Sequence, residues 1–196
     1  MGTNPPRRPR KPEESAGSGS EAMPLRPDRA ISEDAAKEAA LRILERGPRT
    51  EQEVFDRLLA RGFVQDAVER AIERLRRVSL LDDRAFMRTF LRTEIPRRPQ
   101  GRRLLVVKLR RRGIPAALLE ELDQLLAEDP DLAERSLDTE EGRARAALAQ
   151  MERRLARRDA ADRARRMQGA LVRRGFDWST VRDLVTYARD EGQEPH

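Results

Sequence analysis

The apolar residues of this chain recur at intervals of three and four, in blocks separated by glycine and proline, and this spacing predicts helices. Val54, Leu58 and Leu59 share one face, and Ala67, Val68, Ala71, Ile72 and Leu75 share the next. Phe86, Phe90 and Leu91 follow, then Leu104, Val107 and Leu109, then Leu118, Leu119, Leu122, Leu125 and Leu126. The last block carries Leu148, Met151 and Leu155, then Met167, Leu171 and Val172, then Trp178, Val181, Leu184, Val185 and Tyr187. No β-branched run alternates over the length of a strand. The nearest, Leu104 to Leu109, sits inside a helical pattern. The expected fold class is all-α.

Within these blocks one phrase occurs three times: LLARGF at 58–63, LRRRGI at 109–114 and LVRRGF at 171–176. Aligned on Gly62, Gly113 and Gly175, the phrase places Leu58, Leu109 and Leu171 before the glycine and Phe63, Ile114 and Phe176 directly after it. Val68, Leu119 and Val181 follow at equal distance. A supersecondary unit used three times produces such a period, and tandem units build extended binding surfaces more readily than catalytic clefts.

Helix-boundary residues support three units of three helices, nine main helices in all. Ser32 is an expected N-cap before Glu33 and Asp34, and the first helix stops near Gly47-Pro48. Thr50 and Glu53 form a capping-box pattern, and the phrase glycine suits a left-handed helix end. In the second unit an aspartate of the Asp82-Asp83 pair is expected to cap, Pro96 and Pro99 to break a helix, and Pro115 to open the next. The expected organisation is a disordered basic tail over 1–30, three-helix units over 31–79, 80–127 and 140–190, an acidic linker over 128–139, and a frayed terminus over 191–196.

Charge adds a further pattern to this frame. The chain is +6 overall, but residues 92–115 hold nine basic side chains and one acid, 116–142 hold ten acids and one base, and 143–174 hold eleven arginines and three acids. Like charges at helical neighbour spacing repel, so the first basic run suggests a binding role. Arg97, Arg98, Arg102, Arg103, Lys108, Arg110, Arg111 and Arg112 are the candidate partner-binding residues. A solvated helix face is the competing reading, since arginine outnumbers lysine 38 to 3.

Several chemistries find no support. With no cysteine and a single histidine at the terminus, His196, there is no zinc set and no Ser–His or Cys–His nucleophile pair. No phosphate-binding GxxxxGK[ST] loop occurs. Asp82 and Asp83 could hold a divalent cation, but capping explains them more simply. Phe86 and Phe90 read as core. Trp178 reads as core or as an interface anchor. The expectation is no catalytic, metal or cofactor site and no enzymatic activity. No apolar run approaches the roughly 18 residues of a membrane span, and the polar N-terminus lacks a signal peptide's apolar stretch. A cytoplasmic monomer with no membrane role is expected.

These phrases resemble those of the RecX family of RecA regulators, over roughly residues 35–190. Leu58 to Phe63 is similar to the family's helix–glycine–aromatic phrase. Ser79 to Phe90 resembles its glycine-leucine-leucine-aspartate-aspartate junction, with Ser79 in place of the glycine, a change expected not to affect packing. Gly101 to Ile114 is similar to its basic middle helix. The resemblance implies tandem three-helix repeats in a curved, elongated array that binds RecA filaments and restrains ATP hydrolysis, strand exchange and filament growth. It implies a role in regulating recombination, DNA repair and the SOS response. Weak contact with single- or double-stranded DNA is also expected. A direct DNA-binding helical regulator and a scaffold without a nucleic-acid role are the alternatives.

Overall fold

The structure is a computed structural model that describes residues 26–155 and 158–190. The rest of the expected N-terminal tail, the expected C-terminal fraying and the side chains of Val185 and Tyr187 lie outside the described residues. Among those described there are twelve helices and no strand. They are α1 (Pro27–Ala30), α2 (Glu33–Leu44), α3 (Glu51–Leu59), α4 (Gln65–Arg77), α5 (Asp83–Arg97), α6 (Arg102–Arg111), α7 (Ala116–Glu120), α8 (Leu122–Ala127), α9 (Pro130–Glu134), α10 (Glu140–Leu155), α11 (Ala160–Arg173) and α12 (Trp178–Asp190). The excess over nine has three sources. The turn α1 falls within the stretch expected to be disordered, the long third helix of the middle unit is divided into α7 and α8 at Glu121, and α9 lies in the supposed linker.

Three separate apolar cores follow one another along the chain. The first gathers Ala36 to Leu81 from α2, α3 and α4, the second Phe86 to Leu137 from α5 to α9, and the third Ala144 to Leu184 from α10, α11 and α12. No buried apolar residue belongs to two cores. The segment 128–139 is not a free linker. Leu132 and Leu137 are buried in the middle core, and Asp129, itself buried, caps α9 by accepting from the N–H groups of Asp131 and Leu132. Pro96 also departs from expectation. It lies inside the last turn of α5, where it removes the N–H that would bond the Arg92 carbonyl, and the helix ends one residue later.

The repeated phrase is one geometry built three times. Phe63, Ile114 and Phe176 donate their N–H groups to the carbonyls of Leu58, Leu109 and Leu171, at 3.2–3.3 Å. Gly62, Gly113 and Gly175 donate to Leu59, Arg110 and Val172, at 2.8–2.9 Å, each with φ between 79° and 89°. This is the Schellman helix end, in which two orphan carbonyls are satisfied and the flanking apolar pair closes together. The three leucines are fully buried and the residues after the glycines nearly so. Ser32, Thr50 and Asp82 cap α2, α3 and α5 through their side chains.

The same helix end appears twice more with serine at the left-handed position. Ser79 and Ser136 have φ of 55° and 54°, with Leu80 and Leu137 donating to Leu75 and Leu132. Ser79 is exposed and leaves packing as expected, but its Cβ crowds the backbone in that conformation.

These helix ends also join the units. Thr50, the N-cap of α3, donates from Oγ1 to the Arg112 carbonyl at 2.5 Å. Gly101, the N-cap of α6, donates its N–H to the Arg174 carbonyl at 3.0 Å. In both joints, the loop that ends one unit's middle helix is seated on the start of the preceding unit's middle helix. The second seat is backbone on backbone. Arg103 N–H also donates to the Gly175 carbonyl at 3.2 Å, and a Cβ on Gly175 would stand 2.4 Å from the Leu104 nitrogen. Each joint has one buried charged partner. Asp83 accepts from Glu51 N–H at 2.9 Å across the first. Arg143, only 2% exposed, donates to the carbonyls of Gln100, Leu137 and Asp138 across the second.

Three outcomes follow for stability. Ser79→Gly and Ser136→Gly should each raise the urea midpoint, by about 1 kcal/mol of stability. Gly175→Ala should lower it by at least ~2 kcal/mol, since strain and collision add. Burial holds the Asp83 carboxyl above its ordinary value, against the opposing pull of the Glu51 N–H. A raised native pKa means that this residue's contribution is fully present below the unfolded value and is lost as pH rises through the native one. Asp83→Asn keeps an acceptor oxygen for Glu51 and removes the buried charge. Thermal melts should show the variant at least as stable as the parent at pH 7, with the difference closing toward pH 4.

Candidate functional site

The basic run of 92–115 is divided by the fold between α5, α6 and the loops around them. α6 starts with Arg102 and Arg103, an unfavourable placement beside the positive end of the helix dipole. Two features offset it. The carbonyls of Arg174 and Gly175 close over the first turn, and acids from other elements reach both side chains. Arg102 Nε lies 2.8 Å from Asp123, and Arg103 Nη2 lies 2.6 Å from Asp177. At the other end, Lys108, Arg110 and Arg111 occupy the last turn, where the dipole favours cations.

The eight candidate residues fall into two equal sets. Arg102, Arg103, Lys108 and Arg112 are engaged within the chain. Lys108 Nζ lies 2.9 Å from Glu94. Arg112 pairs with Glu53, stands 5.0 Å from the Phe86 ring centroid and supplies the carbonyl that Thr50 holds. Arg112 is thus a piece of the first joint. Arg97, Arg98, Arg110 and Arg111 are exposed and form no ion pair with any described residue. They lie at the end of α5 and the end of α6, outside the apolar core between those helices.

The acidic segment is met mainly by α5, and the ion pairs of the last basic block lie mostly within that block. Arg84, Arg88 and Arg92 succeed each other at one-turn intervals along α5 and face the acidic segment. Arg84 meets Glu121 at 3.0 Å, and Arg92 meets the buried Asp129 at 2.6 Å. In the third unit, Arg158, Arg165 and Arg166 converge on Asp162, whose carboxyl their hydrogen bonds hold well below the usual carboxylate range. Arg143 is interior, and burial pulls its guanidinium below the ordinary arginine value. Nothing in its residue type separates it from the other ten arginines of 143–174. Its one distinguishing signal is position, at the first helical turn after an acidic stretch.

Asp82 and Asp83 separate likewise. Asp82 caps its own helix, bonding Ala85 N–H at 2.9 Å, while Asp83 caps α3 of the neighbouring unit. Phe86 is core, and Phe90 packs half-buried against it. Trp178 is not core. It is 55% exposed at the start of α12, and Val172 and Val107 are also exposed. No cluster of three or more metal-ligating acids or histidines occurs among the described residues, and none of their helices is long and apolar enough to cross a membrane.

The sequence and fold have clear relatives. A family model described as RecX, first three-helix domain, matches residues 36–75, and one described as RecX, second three-helix domain, matches residues 82–122. Regulatory protein RecX of Pelodictyon phaeoclathratiforme is 31% identical over 149 residues, covering 74% of this chain and 84% of that protein. Regulatory protein RecX of Streptomyces lividans is 32% identical over 161 residues, covering 81% and 80%. The crystal structure of RecX from Lactobacillus salivarius superposes with a TM-score of 0.67 over 84% of this chain and 98% of its own, at 19% identity, which is likeness of fold.

Proposed function

The chain belongs to the RecX family of regulatory proteins, and we propose that it regulates by docking on RecA recombinase filaments, where it slows ATP hydrolysis, strand exchange and filament growth. The observation that carries this reading is the set of four uncompensated arginines, Arg97, Arg98, Arg110 and Arg111. Within the basic run, they are the candidates without an ion pair to a described residue, and so the part left to meet an anionic partner. Their setting is an array of small cores, a form suited to lying along an extended partner. The action is non-enzymatic and needs no cofactor. The chain works in the cytoplasm as a monomer, and the outcome is regulation of recombination and DNA repair, including the SOS response.

Direct reading of DNA fits the geometry less well. A helix-turn-helix reader presents the N-terminal residues of its recognition helix to base edges. The first turn of α6 is covered by the Arg174 and Gly175 carbonyls. The free arginines suit phosphate or carboxylate contacts, so binding to bare DNA should be weak and should fall steeply with salt.

The test is RecA ATPase on single-stranded DNA with substoichiometric amounts of this chain. Hydrolysis should slow, while the chain alone consumes no nucleotide. Unchanged RecA activity at several-fold excess would overturn the reading. The quadruple variant Arg97→Glu, Arg98→Glu, Arg110→Glu, Arg111→Glu should lose filament affinity on the order of tenfold or more. Its thermal melt should match the parent's, because none of the four supports an internal pair. A folded quadruple variant that inhibits normally would make these arginines a solvated face.

A further inference from the structure

Trp178 is the only tryptophan of the chain, and it stands half in solvent. It does not stand alone. Val172, in the last turn of α11, is 46% exposed, and Val107, on the outer face of α6, is 41% exposed. The second joint brings their elements together. Gly175 is seated against Leu104, and Asp177, the residue before Trp178, lies 2.6 Å from Arg103. Along the outer face of α6, Arg103, Val107 and Arg110 succeed one another at helical spacing. Arg173, beside Val172, is exposed and forms no ion pair with a described residue.

The elements that meet at this shoulder between the middle and C-terminal units thus carry one exposed aromatic side chain, two exposed aliphatic ones and three cations. We propose that it receives a segment of a partner protein in which an apolar side chain is flanked by carboxylates. The inference rests on the reading that the chain docks on a RecA filament, and it names a second contact there, separate from the four free arginines except for Arg110. The apolar side chain packs on Trp178 between Val172 and Val107. The carboxylates meet Arg173 and Arg110, and a further one can replace Asp177 on Arg103. That exchange costs little, because the Arg103–Asp177 pair is solvent-exposed and such pairs contribute weakly.

Tryptophan and arginine are the residues on which binding energy concentrates at protein interfaces. Nucleic acid matches the surface less well. Stacking platforms for single strands use successive aromatic faces, whereas here one aromatic stands beside two aliphatic side chains.

The single tryptophan makes the test direct. The full chain is prepared with 5-hydroxytryptophan at position 178, which can be excited apart from ordinary tryptophans in a partner. Acrylamide quenching is then measured with the chain free, with single-stranded DNA alone, and with RecA filaments on the same DNA, alongside co-sedimentation with the filaments. Filaments should protect the indole several-fold and DNA alone should not. Trp178→Ala should weaken co-sedimentation on the order of tenfold with an unchanged melting temperature, and Trp178→Phe should recover part of the loss. If filaments bind but the indole stays as accessible as in the free chain and Trp178→Ala binds normally, this inference fails and the proposed function stands. If DNA alone protects the indole equally, the shoulder is a nucleic-acid surface and the inference is overturned. If filaments do not bind the chain at all, the proposed function fails and the inference fails with it.

Discussion

The arrangement of this chain depends on one contact made twice: a carbonyl just before a left-handed glycine, held by the N-cap residue of the preceding unit's middle helix. The carbonyl is left over from helix formation in both joints, and so is the N–H at Gly101. The first N–H groups and last carbonyls of any helix lack intrahelical partners, and a repeat protein that faces these ends toward each other satisfies both at once. The two joints do so with different atoms, a threonine hydroxyl at Thr50 and a backbone N–H at Gly101. Because the three apolar cores share no residue, these polar seats carry much of the register between units. Hydrogen bonds are directional where apolar contact is not, so a joint made this way fixes an angle as well as a distance.

The joints also explain where charge is spent. Arg112, Asp83 and Arg143 sit at or beside the two seats, each held by backbone groups or by one opposite charge. Removing one partner from such a place would leave a buried polar group exposed to no compensation, which is the costly direction of change. The outer surface is different. Its pairs, such as Arg84 with Glu121 and Arg102 with Asp123, lie in water and contribute little individually. Their effect is to offset part of the basic run, while Arg97, Arg98, Arg110 and Arg111 form no ion pair with a described residue.

The proposed docking on a filament calls for a long footprint more than a deep pocket, and the two candidate contacts fit that requirement. The four free arginines and the Trp178 shoulder lie on adjoining units linked by the Gly101–Gly175 seat. Contacts tied together within one chain act at high effective concentration, so that two modest sites can hold a partner more firmly than either alone.

Much of this was legible in the residues. Periodicity of three and four determined the helices, and the phrase around Gly62, Gly113 and Gly175 determined three Schellman ends with buried Leu58, Leu109 and Leu171, because a left-handed helix end has local requirements that glycine and its apolar neighbours meet by themselves. Ser32, Thr50 and one aspartate of the Asp82-Asp83 pair were readable as caps for the same reason, and the structure assigns that cap to Asp82. What only the tertiary structure decided was every matter of pairing across distance. Ser79 and Ser136 adopt the glycine conformation because Leu80 and Leu137 must reach Leu75 and Leu132. Leu132 and Leu137 turn an apparent linker into core because the middle core lies within reach. Half of the eight candidate residues are neutralised because Asp123, Asp177 and Glu53 arrive from elsewhere in the chain and Glu94 from the neighbouring helix. Trp178 faces water because Phe176, two residues earlier, already fills the core. Spacing reports which face of a helix is apolar. It does not report which neighbour meets that face, and for charged side chains the neighbour is what separates a structural pair from a free binding group.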